Sequence, residues 1–269
     1  MSWASGVYKN MELSAAGLTD IGYRRNSNQD AFLCDSDAGL FIVADGMGGK
    51  AGGETASKVV VTIFPILIRE ELDDLSDPTP DAILSLLEQT LCRLSRDLHH
   101  ESQKIHEIKG LGSTASVVLI REDVAHIIYA GDSRIYLLRG KQLIQITEDQ
   151  TTAAALIRTG QLDPEVAKDH PLNHALEEYV GKEGHLHPKT GSRQTQAGDR
   201  WLLCSDGLTK GLTGERLHDL LLQPLTPRET CHALIAAAKE ADGSDNITAV
   251  VVDILSLAAP QDGECLMSR

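Results

Sequence analysis

The order of hydrophobic periods along this chain constrains its fold more than any single residue. Two long helix-like segments stand back to back, and four short strand-like runs follow with no linker between. The first helix opens at Gly52-Gly53, carries Glu54 in its first turn and runs to about Leu72, with Pro65 as an expected kink. The second covers residues 80–108. Pro80 suits a first helical position, and Ile83, Leu84, Leu87, Leu91 and Leu94 recur at helical spacing. The strand candidates are residues 113–120, 124–130, 134–139 and 142–146, with turn residues between them. Residues 14–22, 30–34 and 40–44 form an earlier block of strands. Residues 201–204 form a strand ending in Ser205-Asp206-Gly207, 214–222 and 227–241 are helices, and 247–255 is a closing strand. Strands in blocks and helices in blocks predict an α+β fold of antiparallel sheets with layered helices, not a doubly wound parallel sheet.

The absence of a Pro/Gly/Ser-rich linker favours one domain over residues 14–257, with loosely ordered ends at 1–13 and 258–269. Residues 148–187 are mixed, polar and His-containing, and read as a helical flap or insert. At 269 residues the chain buries a large core without staples. With aromatics at 4%, that core rests on Val, Ile, Leu and Ala. The five cysteines are widely spaced and include no C-x-x-C, which argues against disulfides or a thiolate zinc site and for a reducing compartment. No basic region followed by an apolar run opens the chain. The longest apolar run, residues 59–68, is too short to span a bilayer. A net charge of −14, without Lys/Arg clusters, excludes a nucleic-acid backbone as main partner. The expectation is a cytoplasmic monomer with neither a nucleic-acid nor a membrane partner.

Five aspartates share one context, the meeting of an apolar strand with a Gly or small-residue turn. They are Asp30 in S-N-Q-D-A-F, Asp45 in V-A-D-G-M-G-G, Asp132 in A-G-D-S-R, Asp206 in C-S-D-G and Asp245 in G-S-D-N-I-T. Any one of them also reads as a plain turn, since Asp-Gly is a strong hairpin signal. Five brought to one rim would repel strongly in a partly desolvated place, unless a hard cation sits among them. Carboxylates, backbone carbonyls and water are the ligands Mg²⁺ and Mn²⁺ prefer. With no side chain, Gly46 lets its carbonyl approach an ion closely.

The ordered set R-x-x-N-Q-D-A, D-G-M-G-G, G-S-T-A, G-D-S-R, S-D-G-L and D-N-I-T resembles the metal-dependent Ser/Thr protein phosphatases of the PPM, or type 2C, family. The resemblance covers about residues 14–255, and the run from Gly17 to Ser57 looks most like bacterial stand-alone members, including cyanobacterial ones. It implies a four-layer α-β-β-α sandwich, two antiparallel sheets flanked by helices. It further implies that Asp45 bridges two ions, that the Gly46 carbonyl binds one, and that Asp206 and Asp245 complete the first ion's shell. Asp30 then acts through metal-bound water, and Asp132 with Asp206 holds a weaker third ion. Arg25 matches the arginine that grips the substrate phosphate, a task for which a planar guanidinium suits better than Lys. The substrates implied are phosphorylated proteins. In the chemistry expected, two Mg²⁺ or Mn²⁺ ions lower the pKa of a bridging water, and the hydroxide attacks phosphorus in line with the leaving Ser or Thr oxygen. Three positions depart from the family. Met47 stands where many eukaryotic members have a proton-donating His, Lys50 where relatives often have His, and Gln29 where some have Glu. The flap at 148–187 is the expected site of substrate selection, with a plain surface excursion as the alternative.

Other readings are weaker. Gly46-x-Gly48-x-x-Ala51 imitates a dinucleotide fingerprint, but no second strand ending in an acid follows it. Gly49-Lys50-Ala51 fails the P-loop pattern, and neither Asp35-Ser36-Asp37 nor residues 242–247 fit an EF-hand. His170 with His174, and His185 with His187, lack zinc-site spacing and read as solvated loop residues. The rival from another class is a catalytically weak phosphatase-fold binding or regulatory module, which would have lost ligands. Asp45, Asp206 and Asp245 are all present.

Overall fold

The computed structural model describes residues 11–75, 78–104, 110–163, 166 and 170–257. The first sheet has the order β1-β11-β10-β7-β8, built from β1 (Glu12–Asp20), β11 (Ile247–Ser256), β10 (Arg200–Cys204), β7 (Arg134–Arg139) and β8 (Gln142–Gln145). The second has the order β2-β3-β5-β6-β9, built from β2 (Asp30–Asp35), β3 (Leu40–Met47), β5 (Ala115–Arg121), β6 (Val124–Ala130) and β9 (Lys189–Gln194), with β4 (Gly112–Ser113) also on β3. All these pairings are antiparallel.

Alternation along the strands generates the layers. Leu40, Ile42 and Ala44 face helices α1 (Gly49–Asp73) and α2 (Pro80–Ser102), where they meet Val60, Phe64, Ile68 and Leu91. Phe41 and Val43 point the other way, into the core between the sheets, against Trp201, Leu203, Val250 and Val252. Leu202, Cys204, Ala249 and Val251 face α5 (Gly214–Leu221) and α6 (Pro227–Ala241). The result is the expected helix–sheet–sheet–helix stack.

Several boundaries differ from the sequence reading, each for a physical reason. Helix α1 begins at Gly49, not at Gly52-Gly53. Its first turn crosses the end of β3 so closely that a Cβ on Gly46 would lie 2.0 Å from the Gly53 carbonyl oxygen, so the glycines belong inside the contact. The helix continues unbroken through Pro65. Asp45-Gly46 is not a turn: β3 runs on to Met47 because β4 pairs with Gly46 and Met47. Asp206-Gly207 opens a short helix, α4 (Asp206–Gly211), on the Ser205 N-cap. Strand β9 carries no apolar alternation and is exposed, so only its pairing with β6 reveals it. Glu12 and Leu13, read as part of a loose end, lie in β1 opposite the end of β11. The remaining expected ends, residues 1–10 and 258–269, the helix tail at 105–108 and the Lys50 side chain lie outside the described residues.

The described part of residues 148–187 includes helix α3 (Thr152–Arg158) and a 3-10 turn, Pro171–His174. This excursion is stitched down at its base. Gln150 N–H donates to the Gly131 carbonyl, Thr152 N–H to the Ala175 carbonyl, and Ser113 N–H to the Val180 carbonyl.

Phe64 is fully buried between α1, α2 and the second sheet. Phe64→Ala is expected to lower unfolding free energy by about 3–5 kcal/mol, as read from urea denaturation. A loss under roughly 1 kcal/mol would contradict its place in that layer.

Candidate active site

The strand ends carry the five aspartates to one rim. Asp30 and Asp45 are direct partners across β2 and β3. Asp206 opens α4 after β10, Asp245 precedes β11, and Asp132 follows β6. All but Asp30 line one open cavity of about 1410 Å³, which also takes in Arg25, Gly46 and Met47. Asp30 sits beneath this group, almost fully buried.

Hydroxyl and amide groups fix the carboxylates. Ser205 Oγ and Thr248 Oγ1 each donate to Asp30 Oδ2 at 2.7 Å. Thr248 N–H in turn donates to Ser205 Oγ at 3.0 Å, tying β11 to the start of α4. Asp45 N–H donates to Thr114 Oγ1 at 2.8 Å, and Thr114 N–H returns a bond to the Asp45 carbonyl. Asn246 anchors the segment that bears Arg25: its Nδ2 donates to the Ile21 and Ser27 carbonyls, and its Oδ1 accepts from Gln29 N–H. Ser205, Thr114, Asn246 and Thr248 all lie in the recognised motifs, yet the sequence reading assigned them no role. Their signal was adjacency to the aspartates in those short runs.

Two cations occupy the rim. Arg25 donates to Asp245 at 2.8 Å and remains about half exposed. Lys210, on the last turn of α4, reaches Asp206 Oδ2 at 2.6 Å and Asp245 Oδ2 at 2.8 Å. The sequence reading missed Lys210, although it lies one turn after Asp206. A third cation, Arg134, forks onto Asp149 at 2.7 and 2.9 Å beside Asp132.

Burial and mutual repulsion set the protonation of this group. Burial pushes Asp30 up to about 6, with Thr248 and Ser205 opposing and the charges of Asp206 and Asp245 adding. Burial, then the charges of Asp206 and Asp149, carries Asp132 up to about 7. Asp45 rises well above the ordinary carboxylate value through burial and the four surrounding aspartates. Asp245 moves down: burial would raise it, but Lys210, the Asn246 N–H and Arg25 outweigh that. For Lys210, burial would lower the ammonium, and the charges and hydrogen bonds of Asp206 and Asp245 raise it instead.

The donor set fits hard divalent ions. It consists of carboxylates and a backbone carbonyl on a rim where Asp30 Oδ1 and Asp206 Oδ1 are buried without a hydrogen-bond partner. Among the described residues, however, no three His, Cys, Asp or Glu side chains already converge on one ion-binding point. Lys210 stands between two of them, Asp206 and Asp245. His170 and His174 line the same cavity from the 3-10 turn, so they face the rim although the sequence read them as loop residues alone.

The raised carboxylates dictate how metal-free stability depends on pH. A group that binds its proton more tightly when folded stabilises the fold below its unfolded value near 3.8 and loses that contribution as pH rises through its folded value. The window for Asp30 and Asp132 therefore runs from about pH 4 to about 7, and Asp45, raised by burial and the surrounding carboxylates, acts in the same direction. His126, buried and lowered to about 4, acts oppositely over this range. In EDTA the protein is expected to melt at a higher temperature at pH 5.5 than at pH 7.5, with a smaller difference in Asp45→Asn. A melting temperature that rises with pH would refute this ordering.

Comparison with known proteins agrees with this geometry. The family model described as protein phosphatase 2C matches residues 23–239. Protein phosphatase PhpP of Streptococcus pneumoniae is 32% identical over 253 residues, covering 91% of this chain and 98% of that protein. A serine/threonine phosphatase structure from S. agalactiae superposes with a TM-score of 0.82 at 29% identity, covering 90% of this chain and all of that one. The catalytic domain of the serine/threonine protein phosphatase PstP, solved with two manganese ions, superposes with a TM-score of 0.77 at 30% identity, over 91% of this chain and all of that one. With a family model matched over residues 23–239 and a relative 32% identical over nearly its whole length, the chain belongs to the protein phosphatase 2C family.

Proposed function

We propose that this protein hydrolyses phosphoserine and phosphothreonine in proteins with the help of divalent metal ions. The observation that carries this reading is the carboxylate rim, with the orphaned Asp206 Oδ1 in it and the orphaned Asp30 Oδ1 beneath it, beside exposed Arg24 and Arg25 in one cavity. Asp45, the Gly46 carbonyl, Asp206 and Asp245 hold two Mg²⁺ or Mn²⁺ ions in this reading. Asp30 steadies the set from beneath, and Asp132 with Asp206 offers a weaker third place. Bound ions supply Lewis acidity that activates water and offsets phosphate charge.

The rest of the work falls to side chains. Arg25 lies on Asp245, so an arriving phosphate competes with a carboxylate for the same guanidinium. A dianionic phosphate is the stronger partner for that planar fork. Asn246 holds the Arg25 segment and so sets where the phosphate stops. Met47 lines the cavity and has no proton to give, so it is not the donor to the leaving oxygen. The 148–187 excursion forms one wall and selects among phosphoproteins. The catalytic unit is residues 14–257, working as a cytoplasmic monomer without nucleic-acid or membrane partners. Supporting this, the chain is acidic, and among the described residues no helix is long and apolar enough to cross a membrane. One observation favours the alternative of a catalytically weak binding module: a lysine stands between two of the expected ion ligands.

Turnover of an aryl phosphate and a phosphothreonine peptide is expected with Mn²⁺ and absent with EDTA. Asp45→Asn should lose on the order of 10²–10³ in rate, the scale for removing one electrostatic element of such a site. Turnover indifferent to EDTA sinks the metal mechanism, and Mn²⁺ binding without turnover favours the module. Arg25→Ala is expected to raise KM for the phosphopeptide more than it lowers kcat. The reverse pattern would remove Arg25 from substrate binding.

A further inference from the structure

Lys210 is not an ordinary helix-surface lysine. The i,i+4 pair Lys58–Glu54 on α1 shows what such a contact looks like, with side chains 64% and 43% exposed. Lys210 is 27% exposed, and its two partners Asp206 and Asp245 are 18% and 15% exposed. Its ammonium is a compact hard cation, 2.6 and 2.8 Å from oxygens of carboxylates that arrive on separate elements. That is where an ion shared by the two would sit. Arg25 also touches Asp245, yet it is 48% exposed.

We infer that Lys210 is a tethered counter-cation that competes with the activating metal for Asp206 and Asp245, and thereby sets the ion concentration at which the site assembles. This rests on Asp206 and Asp245 being ion ligands. Without ion, the ammonium offsets two half-buried negative charges and keeps their side chains in place. For an ion to take the same oxygens, both lysine contacts must break. Because Lys210 is one turn from Asp206, it cannot diffuse away and acts at high effective concentration. The ion then binds only the fraction of molecules in which the lysine has swung out, and its apparent Kd is the intrinsic value divided by that fraction. A tenth of molecules in the open state corresponds to roughly tenfold weaker binding.

The test is Mn²⁺ titration by calorimetry on the full chain, with melting curves in EDTA. It compares the native protein with Lys210→Met, which keeps length and loses charge, and Lys210→Gln, which keeps hydrogen-bond donors. Both variants are expected to bind Mn²⁺ at least ~10-fold tighter at the carboxylate site. Lys210→Met should also melt lower in EDTA. If Lys210→Met does not fold without metal, Lys210→Gln carries the affinity comparison. Unchanged or weaker Mn²⁺ affinity in a folded variant overturns the inference, as does a native chain and variants that bind no Mn²⁺. Tighter binding in a chain that hydrolyses no phosphoester supports the inference while refuting the phosphatase reading. Metal-dependent hydrolysis with Mn²⁺ affinity blind to Lys210 does the opposite.

Discussion

Like charges crowded at the end of a sheet sandwich are the constraint around which this molecule is organised. Two face-to-face sheets bury their apolar sides, and the strand ends that emerge deliver Asp30, Asp45, Asp132, Asp206 and Asp245 to one rim. Left alone, such carboxylates resist ionisation or push apart. The protein counters with short hydrogen bonds from Ser205 and Thr248 beneath and with Lys210 and Arg25 above. Apart from Lys210–Asp206, one turn apart on α4, these contacts join elements far apart in the chain. The rim therefore depends on the relative register of β2, β3, β10 and β11.

Glycine makes that register possible at two crossings. A side chain at Gly46 would collide with the start of α1, and one at Gly207 would lie 2.0 Å from the Asn246 carbonyl oxygen. Both neighbour an aspartate of the rim. The requirement for close backbone approach explains why D-G recurs there without forming hairpins. It also explains why turn chemistry misleads at Asp45-Gly46 and Asp206-Gly207: the same dipeptide serves a tight turn and a tight crossing.

Much of the fold was legible. The short continuous apolar runs of β3, β5, β6 and β10 and the helical spacing of α2 and α6 are local signals, and the structure keeps them with small shifts in boundary. Strand β9 was not legible, because an exposed polar edge strand has no period of its own. The aspartates of the rim were legible as a repeated context. The hydroxyls of Ser205, Thr114 and Thr248 were visible but silent, since a hydroxyl declares its partner only when a distant chain segment arrives.

The sequence by itself determined which residues could carry the chemistry: five strand-end aspartates, Gly46 and Arg25, in an order characteristic of one family. It did so because periodicity and short motifs are properties of neighbouring residues. Only the tertiary structure decided that Asp30 lies beneath the others, that Arg25 rests on Asp245, and that Lys210 stands between two of the acids. Apart from the one-turn Lys210–Asp206 contact, those facts depend on contacts across 35 to 220 positions of chain, which sheet register and layer packing create and local pattern does not encode.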